Sequence, residues 1–266
     1  MWKSICVSDK NTNGFAVKQS LFSKEGFIMQ GKRKKKSVPA AVCAVIVAAG
    51  SSQRMGGENK LLLELAGVPV LTHTLAAFEK CAAIRDIVLV CREQDILPYT
   101  ELARAAGIEK LRTVTRGGDS RTASVLAGIS AAPADTVLVA VHDGARPLVS
   151  EAVITEAVYA AAETGAAAPV VPVKDSIKRI ENGCIAADVP RDTLAAVQTP
   201  QVFRRETLLR ALNDAVRQGR TFTDDCAAVE VTGQAVAATH GSYENIKITT
   251  PEDLLIAEAF LQKGAE

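Results

Sequence analysis

AVIVAAGSSQRMGGENK (residues 44–60) passes from a wholly apolar run into a loop of small residues and two cations. Cys43–Ala48 is too short for a core helix and reads as a strand buried on both faces. Gly50, Ser51 and Ser52 carry no bulky side chain, so backbone N–H groups there can turn toward an anion. Arg54 and Lys60 bring positive charge to the same loop. A small-residue loop after a buried strand, with two cations, suits a nucleoside triphosphate. A plain surface turn with two solvated cations is the competing reading. The spacing excludes two commoner phosphate loops. Gly50 and Gly56 have five residues between them and no Lys follows Gly56, so G-x-x-x-x-G-K-[ST] fails, and G-x-G-x-x-G is absent.

Outward from this stretch, short β-branched runs alternate with amphipathic segments. Pro69–Cys81 has Leu71, Leu75 and Phe78 at helical spacing. Ile87–Cys91 reads as a strand, Leu97–Ala106 as a helix closed by Gly107, Leu111–Thr115 as a strand and Ser120–Ala131 as a helix. Thr136–Val141 and Ala167–Val173 are further strands. They flank a helix at Ser150–Thr164, with Ser150 as N-cap and Gly165 just past its end. Helices at Arg205–Gln218 and Asp224–Val231 and strands at Ala235–Thr239 and Ile246–Thr249 follow. A last helix has Thr250 as N-cap and Pro251 at its first position. The alternation implies an α/β fold: a Rossmann-like, mainly parallel sheet with helices on both faces. Such sheets bind ligands in the loops at the carboxyl ends of their strands. Functional residues are therefore expected just after Ala48, Thr115, Val141 and Val173.

Composition narrows the classes. The chain has 266 residues and is 48% hydrophobic and 23% charged, which is ordinary for a globular protein. The longest apolar run, residues 38–49, spans 12 residues and contains Pro39, short of the roughly 20 that a membrane span needs. No partner membrane and no secretory signal is indicated, and a cytoplasmic protein is expected. Six dispersed cysteines without a C-x-x-C pair then read as buried thiols. Residues 1–37 hold nine Lys/Arg against two Asp/Glu, leaving 22 against 28 in the remainder. The body is thus not a nucleic-acid binder. Residues 1–37 read as a disordered basic tail and residues 38–266 as one domain, with Met29 a possible natural start.

Two more constellations carry chemistry. Arg116-Gly117-Gly118-Asp119-Ser120-Arg121-Thr122-Ala123-Ser124 places glycines before a helix, where the backbone can approach a ligand; a simple helix-entry loop explains it equally. His142-Asp143-Gly144-Ala145-Arg146-Pro147 puts an acid, a glycine and an arginine directly after a buried strand. Asp143 there suits a metal-bound phosphate or a ribose hydroxyl, or simply an ion pair with Arg146. His142 reads as a packed histidine rather than a base. Lys247, in Asn245-Ile246-Lys247-Ile248-Thr249, is a lone cation in a late strand.

Taken together with Lys174-Asp175-Ser176-Ile177-Lys178, Gln198-Thr199-Pro200-Gln201 and Thr223-Asp224-Asp225, these motifs resemble in order the nucleotidyltransferases of Rossmann-like fold. Among these they are similar to the methylerythritol phosphate cytidylyltransferase family, from about Val42 to Leu261. Ser52 stands where many members have Gly, and Ser176 where many have Thr. The resemblance implies transfer of a cytidylyl group from CTP to 2-C-methyl-D-erythritol 4-phosphate. It implies Arg54, Lys60 and Lys247 as catalytic cations. Ala48, Ala49, Gly50, Gly118, Asp119, Ser124, Asp143, Gly144 and Arg146 would line the nucleotide. Ser176, Arg191, Thr199 and Thr223 would surround the acceptor. Mg²⁺ would be held mainly by the CTP phosphates, with Asp143 a candidate ligand. A cytidylyltransferase for another alditol phosphate, such as ribitol 5-phosphate, would share the CTP half. A non-catalytic nucleotide-binding protein on the same fold is the alternative from a different class.

One segment breaks the βαβ rhythm. Ser176–Ile180 and Cys184–Val189 are extended runs joined at Asn182-Gly183, a strong hairpin signal. A lone two-stranded hairpin is marginal in water and must pack on something. The family resemblance implies that this arm, about residues 175–189, hooks a second subunit into a homodimer and carries Ser176 and Arg191 to the neighbour's acceptor site. A flap folded back on its own domain is the alternative.

Overall fold

The computed structural model describes residues 41–50 and 59–263. Residues 1–37, Ser51, Ser52 and Arg54 lie outside them. The elements run β1 (Val42–Val47), β2 (Glu64–Leu65), β3 (Val68–Pro69), α1 (Val70–Lys80), β4 (Asp86–Cys91), α2 (Ile96–Ala105), β5 (Leu111–Arg116), α3 (Arg121–Ala131), β6 (Leu138–Asp143) and α4 (Glu151–Thr164). They continue β7 (Ala166–Pro172), β8 (Ile177–Glu181), β9 (Cys184–Val189), β10 (Ala195–Val197), β11 (Gln201–Arg204), α5 (Arg205–Arg217), α6 (Asp225–Glu230), β12 (Ala237–His240) and α7 (Pro251–Lys263).

Alternate residues of β1 feed two cores. Val42, Ala44 and Ile46 pack with Leu71, Leu75 and Phe78 of α1, Tyr99 of α2 and Ile154 of α4. Cys43 and Val45 pack with Val125 and Ile129 of α3, Leu208 of α5 and Val229 of α6. Burial on both faces is what makes β1 and, past the buried Asp86, β4 continuous apolar runs. On the second face α3 comes very close: a Cβ added at Gly128 would stand 2.4 Å from Val45 and 2.8 Å from Val90.

The parallel strands lie in the order β6-β1-β4-β5. The chain steps from β1 to β4 in one direction and places β6 on the other side. The strand order therefore reverses between β1 and β6, where an open α/β sheet forms its ligand crevice. Val47 pairs with Asp143 at that point. Beyond β6 the sheet turns mixed. β11 runs antiparallel to both β6 and β7, and β12 runs parallel to β7. Ala167 and Val170 of β7 are each paired twice, Ala167 with Val202 and Ala237, Val170 with Val197 and His240. β12 thus holds one edge of β7, while β10 and β11 share the other, separated by Gln198-Thr199-Pro200.

Local signals explain the element ends. Ser150 Oγ accepts from the Val153 N–H at the start of α4, and Gly165 ends that helix at φ +92°. Asn182 and Gly183 both have positive φ, 50° and 78°, as a type I′ turn requires, and β8 and β9 form a separate two-stranded sheet. Cys43, Cys81, Cys91 and Cys226 are buried thiols, whereas Cys184 on β9 is exposed, contrary to expectation. Among the described residues no helix is long and apolar enough to cross a membrane.

The expected strand at Ile246–Thr249 is absent. Its isoleucines alternate with polar residues as a strand would, but they have no ladder to join. Instead Ile248 makes single bonds to two loops: its N–H donates to Ala145 O at 2.8 Å, and its carbonyl accepts from Lys60 Nζ at 2.8 Å. β10 and β11 were not anticipated, being only 3 and 4 residues long.

Candidate active site

The crevice has a backbone-lined half. After β1 the chain leans toward β4, with the Ala48 N–H donating to Val90 O at 2.7 Å. After β5 it leans the same way, with the Gly117 N–H donating to Cys91 O at 2.8 Å. Ala49 and Gly117 therefore meet. A Cβ on Gly117 would lie 2.9 Å from the Ala49 methyl and 2.7 Å from Ser124 Oγ. A Cβ on Gly118 would lie 2.4 Å from Ala123 Cβ. Ser124 is buried, and its Oγ accepts from the Gly118 N–H at 3.2 Å and lies 2.9 Å from Ser120 O. Ala48, Ala49, Gly118 and Ser124 thus form one wall, with Gly50 and Asp119 exposed at its rim.

The other half is built on Asp143. Gly144 N–H donates to Val47 O at 2.9 Å, and Thr74 of α1 donates to Gly144 O at 2.9 Å, which pins the turn against β1. Asp143 Oδ2 lies 3.0 Å from Lys247 Nζ and 3.4 Å from Arg146 Nε. Burial pushes the Asp143 carboxyl up, but the charges of Lys247, Arg121 and Arg146 outweigh it and bring the pKa down to about 2. Asp143 is therefore ionised at neutral pH. Arg146 is anchored further by a 2.6 Å bond from Nη1 to Asn245 O.

A relay fixes Thr199. The Asp143 N–H donates to Thr199 Oγ1 at 3.2 Å, and Thr199 Oγ1 lies 2.9 Å from His142 Nδ1. His142 Nε2 lies 3.2 Å from Arg146 O. A carbonyl only accepts, so Nε2 carries the proton and Nδ1 accepts from the Thr199 hydroxyl. Burial lowers the His142 pKa to about 4. With both nitrogens engaged and no exposed surface, His142 is a neutral packed histidine that orients Thr199.

Several residues were not singled out individually from sequence. Asn245 is fully buried and donates to Thr199 O at 2.9 Å and Gln198 Oε1 at 3.3 Å. Gln198 also accepts from the Ser242 N–H at 3.2 Å and donates to Ser242 O at 2.8 Å. Together these bonds tie the loop carrying Lys247 to Thr199. Arg121, the first residue of α3, lies 2.7 Å from the buried Asp225. Gln201 holds that acidic turn, accepting from the Asp225 N–H at 3.0 Å and donating to Asp224 Oδ2 at 3.1 Å. Thr223 is exposed just before it. A basic residue at a helix N-terminus opposes the macrodipole, which was the available signal for Arg121.

The remaining expected residues lie farther along the edge. Ser176 and Arg191 are exposed at the base of the β8–β9 hairpin, where Arg191 donates to Lys174 O at 2.7 Å. Lys174 Nζ stands 3.6 Å from the Tyr243 ring, linking the hairpin base to the loop that leads to Lys247. Among the described residues no group of three His, Cys, Asp or Glu side chains is placed to hold a metal. An ionised Asp143 suits a magnesium ion bound mainly through substrate phosphates, since Mg²⁺ commonly takes only one or two protein carboxylates.

Comparison with known proteins adds an independent line. The family 2-C-methyl-D-erythritol 4-phosphate cytidylyltransferase matches residues 42–263. The enzyme of that name from Desulforamulus reducens is 47% identical over 225 residues, covering 84% of this chain and 96% of the relative. That from Bacillus licheniformis is 46% identical over 220 residues, 82% of this chain and 94% of its own. Among solved structures, the 4-diphosphocytidyl-2C-methyl-D-erythritol synthase of Anaerococcus prevotii is similar at a TM-score of 0.76 and 30% identity, covering 84% of this chain and 96% of that one. The Thermus thermophilus cytidylyltransferase is similar at 0.69 and 34% identity, covering 84% and 99%. The topology, the crevice and these matches agree, and the chain belongs to the 2-C-methyl-D-erythritol 4-phosphate cytidylyltransferase family.

Proposed function

We infer that the crevice between β1 and β6 joins CTP to 2-C-methyl-D-erythritol 4-phosphate, giving 4-diphosphocytidyl-2-C-methyl-D-erythritol and pyrophosphate. The chain is a cytidylyltransferase of the non-mevalonate isoprenoid pathway. The observation that carries this reading is the ionised Asp143, ringed by cations at the switch point and flanked by a wall of small residues.

The roles follow from the chemistry. A phosphate monoester loses its second proton near pH 6, so the acceptor is already a nucleophile at neutral pH. No general base is needed, and His142 is not placed to be one. An acceptor oxygen attacks the α-phosphorus of CTP in line, and pyrophosphate leaves. The obstacle is repulsion between two anions and charge growing on the α-phosphoryl oxygens, which fixed cations offset. Lys60 and Arg54 serve the triphosphate, and Lys247, steadied by Asp143, serves the transferring group. Cytosine and ribose lie against Ala48, Ala49, Gly50, Gly118, Asp119 and Ser124. Backbone carbonyls near Ala48 and Gly118 accept from the cytosine amino group. Gly144 and Arg146 border the nucleotide. Asp143 would be the protein carboxylate for an Mg²⁺ held mainly by the CTP phosphates, and the ion would supply further charge neutralisation.

The acceptor lies against Thr199 and Thr223 of one subunit and Ser176 and Arg191 of a second, in a homodimer formed through the hairpin. Ile180 and Ile185 are 59% and 69% exposed on it, which supports a covering partner. The same reading places the chain in the cytoplasm, where CTP is available. Pyrophosphate release with CTP and Mg²⁺ tests the activity. Release with 2-C-methyl-D-erythritol 4-phosphate and little with ribitol 5-phosphate is expected; the reverse would overturn the choice of acceptor.

A further inference from the structure

Arg121 stands where a cation is poorly placed for helix stability. It is the first residue of α3, whose first turn contains no acidic side chain, and the macrodipole there favours anions. Its side chain is also largely buried, with 28% exposed. What holds it is Asp225, whose side chain is 2% exposed and lies 2.7 Å from Arg121 Nη1. A buried carboxylate is itself costly, and this one is built in with care. The Asp225 N–H is bound by Gln201, the neighbouring Asp224 caps α6 by accepting from the Ala227 N–H, and Gln201 also holds Asp224. Gln201 sits two residues after Thr199, and Asp225 two after Thr223. Through Asp225 and Gln201 the Arg121 head group is thus tied to the two segments that carry Thr223 and Thr199, and it is close enough to Asp143 for its charge to act on that carboxylate. Lys60, by contrast, is tied to Ile248, whose own N–H donates to Ala145 O.

We propose that Arg121 binds the phosphate of the acceptor, and that Asp225 is the positioning residue that holds the Arg121 guanidinium in place for it. Asp225 Oδ2 stands 2.7 Å from Arg121 Nη1, and a guanidinium presents five N–H donors in a planar fork that matches phosphate oxygens. The exposed quarter of the side chain is what a ligand can reach. The assignment rests on the cytidylyltransferase reading and adds a cation to the acceptor subsite, on a helix not among the motifs expected to touch the acceptor.

The test measures initial rates against each substrate for Arg121→Ala, Arg121→Lys, Asp225→Asn and the double variant Arg121→Ala/Asp225→Asn. Calorimetry follows CTP binding without acceptor, and inorganic phosphate serves as a competitor of the acceptor. Arg121→Ala should raise the acceptor KM at least tenfold and weaken inhibition by phosphate in parallel, while CTP affinity stays within twofold. Arg121→Lys should recover part of the loss. Asp225→Asn should raise the acceptor KM by a smaller factor and add nothing in the Arg121→Ala background. An acceptor KM within twofold of wild type in Arg121→Ala, or equal losses for both substrates, would overturn the binding role. An Asp225→Asn effect that persists without Arg121 would overturn the positioning role. Should Arg121→Ala not fold, Arg121→Gln, which keeps a donor for Asp225, is judged by the same criteria. Wild-type protein that binds CTP but turns over no acceptor would instead refute the cytidylyltransferase reading itself.

Discussion

Acidification below about pH 6.5 should destabilise this protein through one buried histidine, His142. His142 is fully buried, packs its ring 4.8 Å from that of Phe78, and has both nitrogens engaged, by Thr199 and by Arg146 O. Its pKa falls from 6.5 to about 4. The sign follows directly. Between these values the unfolded chain binds a proton that the folded chain refuses, so stability rises with pH across the window and falls as pH drops from about 6.5 to about 4. A shift of this size is worth on the order of 3 kcal/mol once both forms are titrated, and about 2 kcal/mol by pH 4.5, at 1.36 kcal/mol per pKa unit. For a domain whose total stability is roughly 5–15 kcal/mol this is a large share.

The assay is urea unfolding at pH 7.0, 5.5 and 4.5, for wild type and His142→Gln. The variant loses the contact with Phe78 and should be less stable at pH 7. The quantity that matters is the slope. Asp225, whose pKa is raised by burial, contributes the opposite trend at pH values above 3.8, and Asp143 loses its contribution only as pH falls from 3.8 toward about 2. Both cancel when the variant is subtracted from wild type. Wild type should lose about 2 kcal/mol more than His142→Gln between pH 7.0 and 4.5. Parallel stability curves, or a His142 ring resonance titrating near 6.5, would refute the reading of a neutral, desolvated imidazole.

Three further outcomes are expected. Gly128→Ala places a Cβ 2.4 Å from Val45 and should cost roughly 1–3 kcal/mol by prising α3 from the sheet, measured by thermal unfolding; a neutral effect would mean that the helix can shift. Lys60→Ala should lower turnover roughly 10²–10³-fold, as loss of one transition-state donor does, and cost only about 1 kcal/mol of stability for its bond to Ile248 O, so wild-type turnover would remove Lys60 from the mechanism. Deleting residues 177–189 should give a monomer in sedimentation that still binds CTP but turns over little. Mixing inactive Lys60→Ala with inactive Arg191→Ala should restore partial activity, and absence of rescue despite proven subunit exchange would sink the shared site.

How far the sequence carries depends on which physical signal each element leaves. β1 and the apolar stretches of β4 and β6 are legible because a strand buried on both faces is mostly apolar, and the hairpin because Asn182 and Gly183 must both adopt positive φ. The crevice follows from strand alternation alone, since ligands gather at the carboxyl ends of parallel strands. That rule cannot find Thr199. It precedes β11, and because β11 runs antiparallel to β6, its amino end lies at the edge where its neighbours finish. Only the likeness of the Gln198–Gln201 motif pointed there. Lys247 shows the converse. Its surroundings alternate like a strand, yet Ile248 bonds to two loops, and the segment threads between Ala145 and Lys60. The error in secondary structure does not displace Lys247 from the crevice, because it pairs with Asp143 rather than joining a ladder. Arg121 was hidden for a third reason. Its place at a helix start disfavours a cation, but nothing near it in sequence shows what holds it there; Asp225, more than a hundred residues later, closes on it. Charges that the fold brings together from distant segments leave little local pattern, so the Arg121–Asp225 pair and the network joining Thr199 to Asp143 and Asn245 are the part that required coordinates.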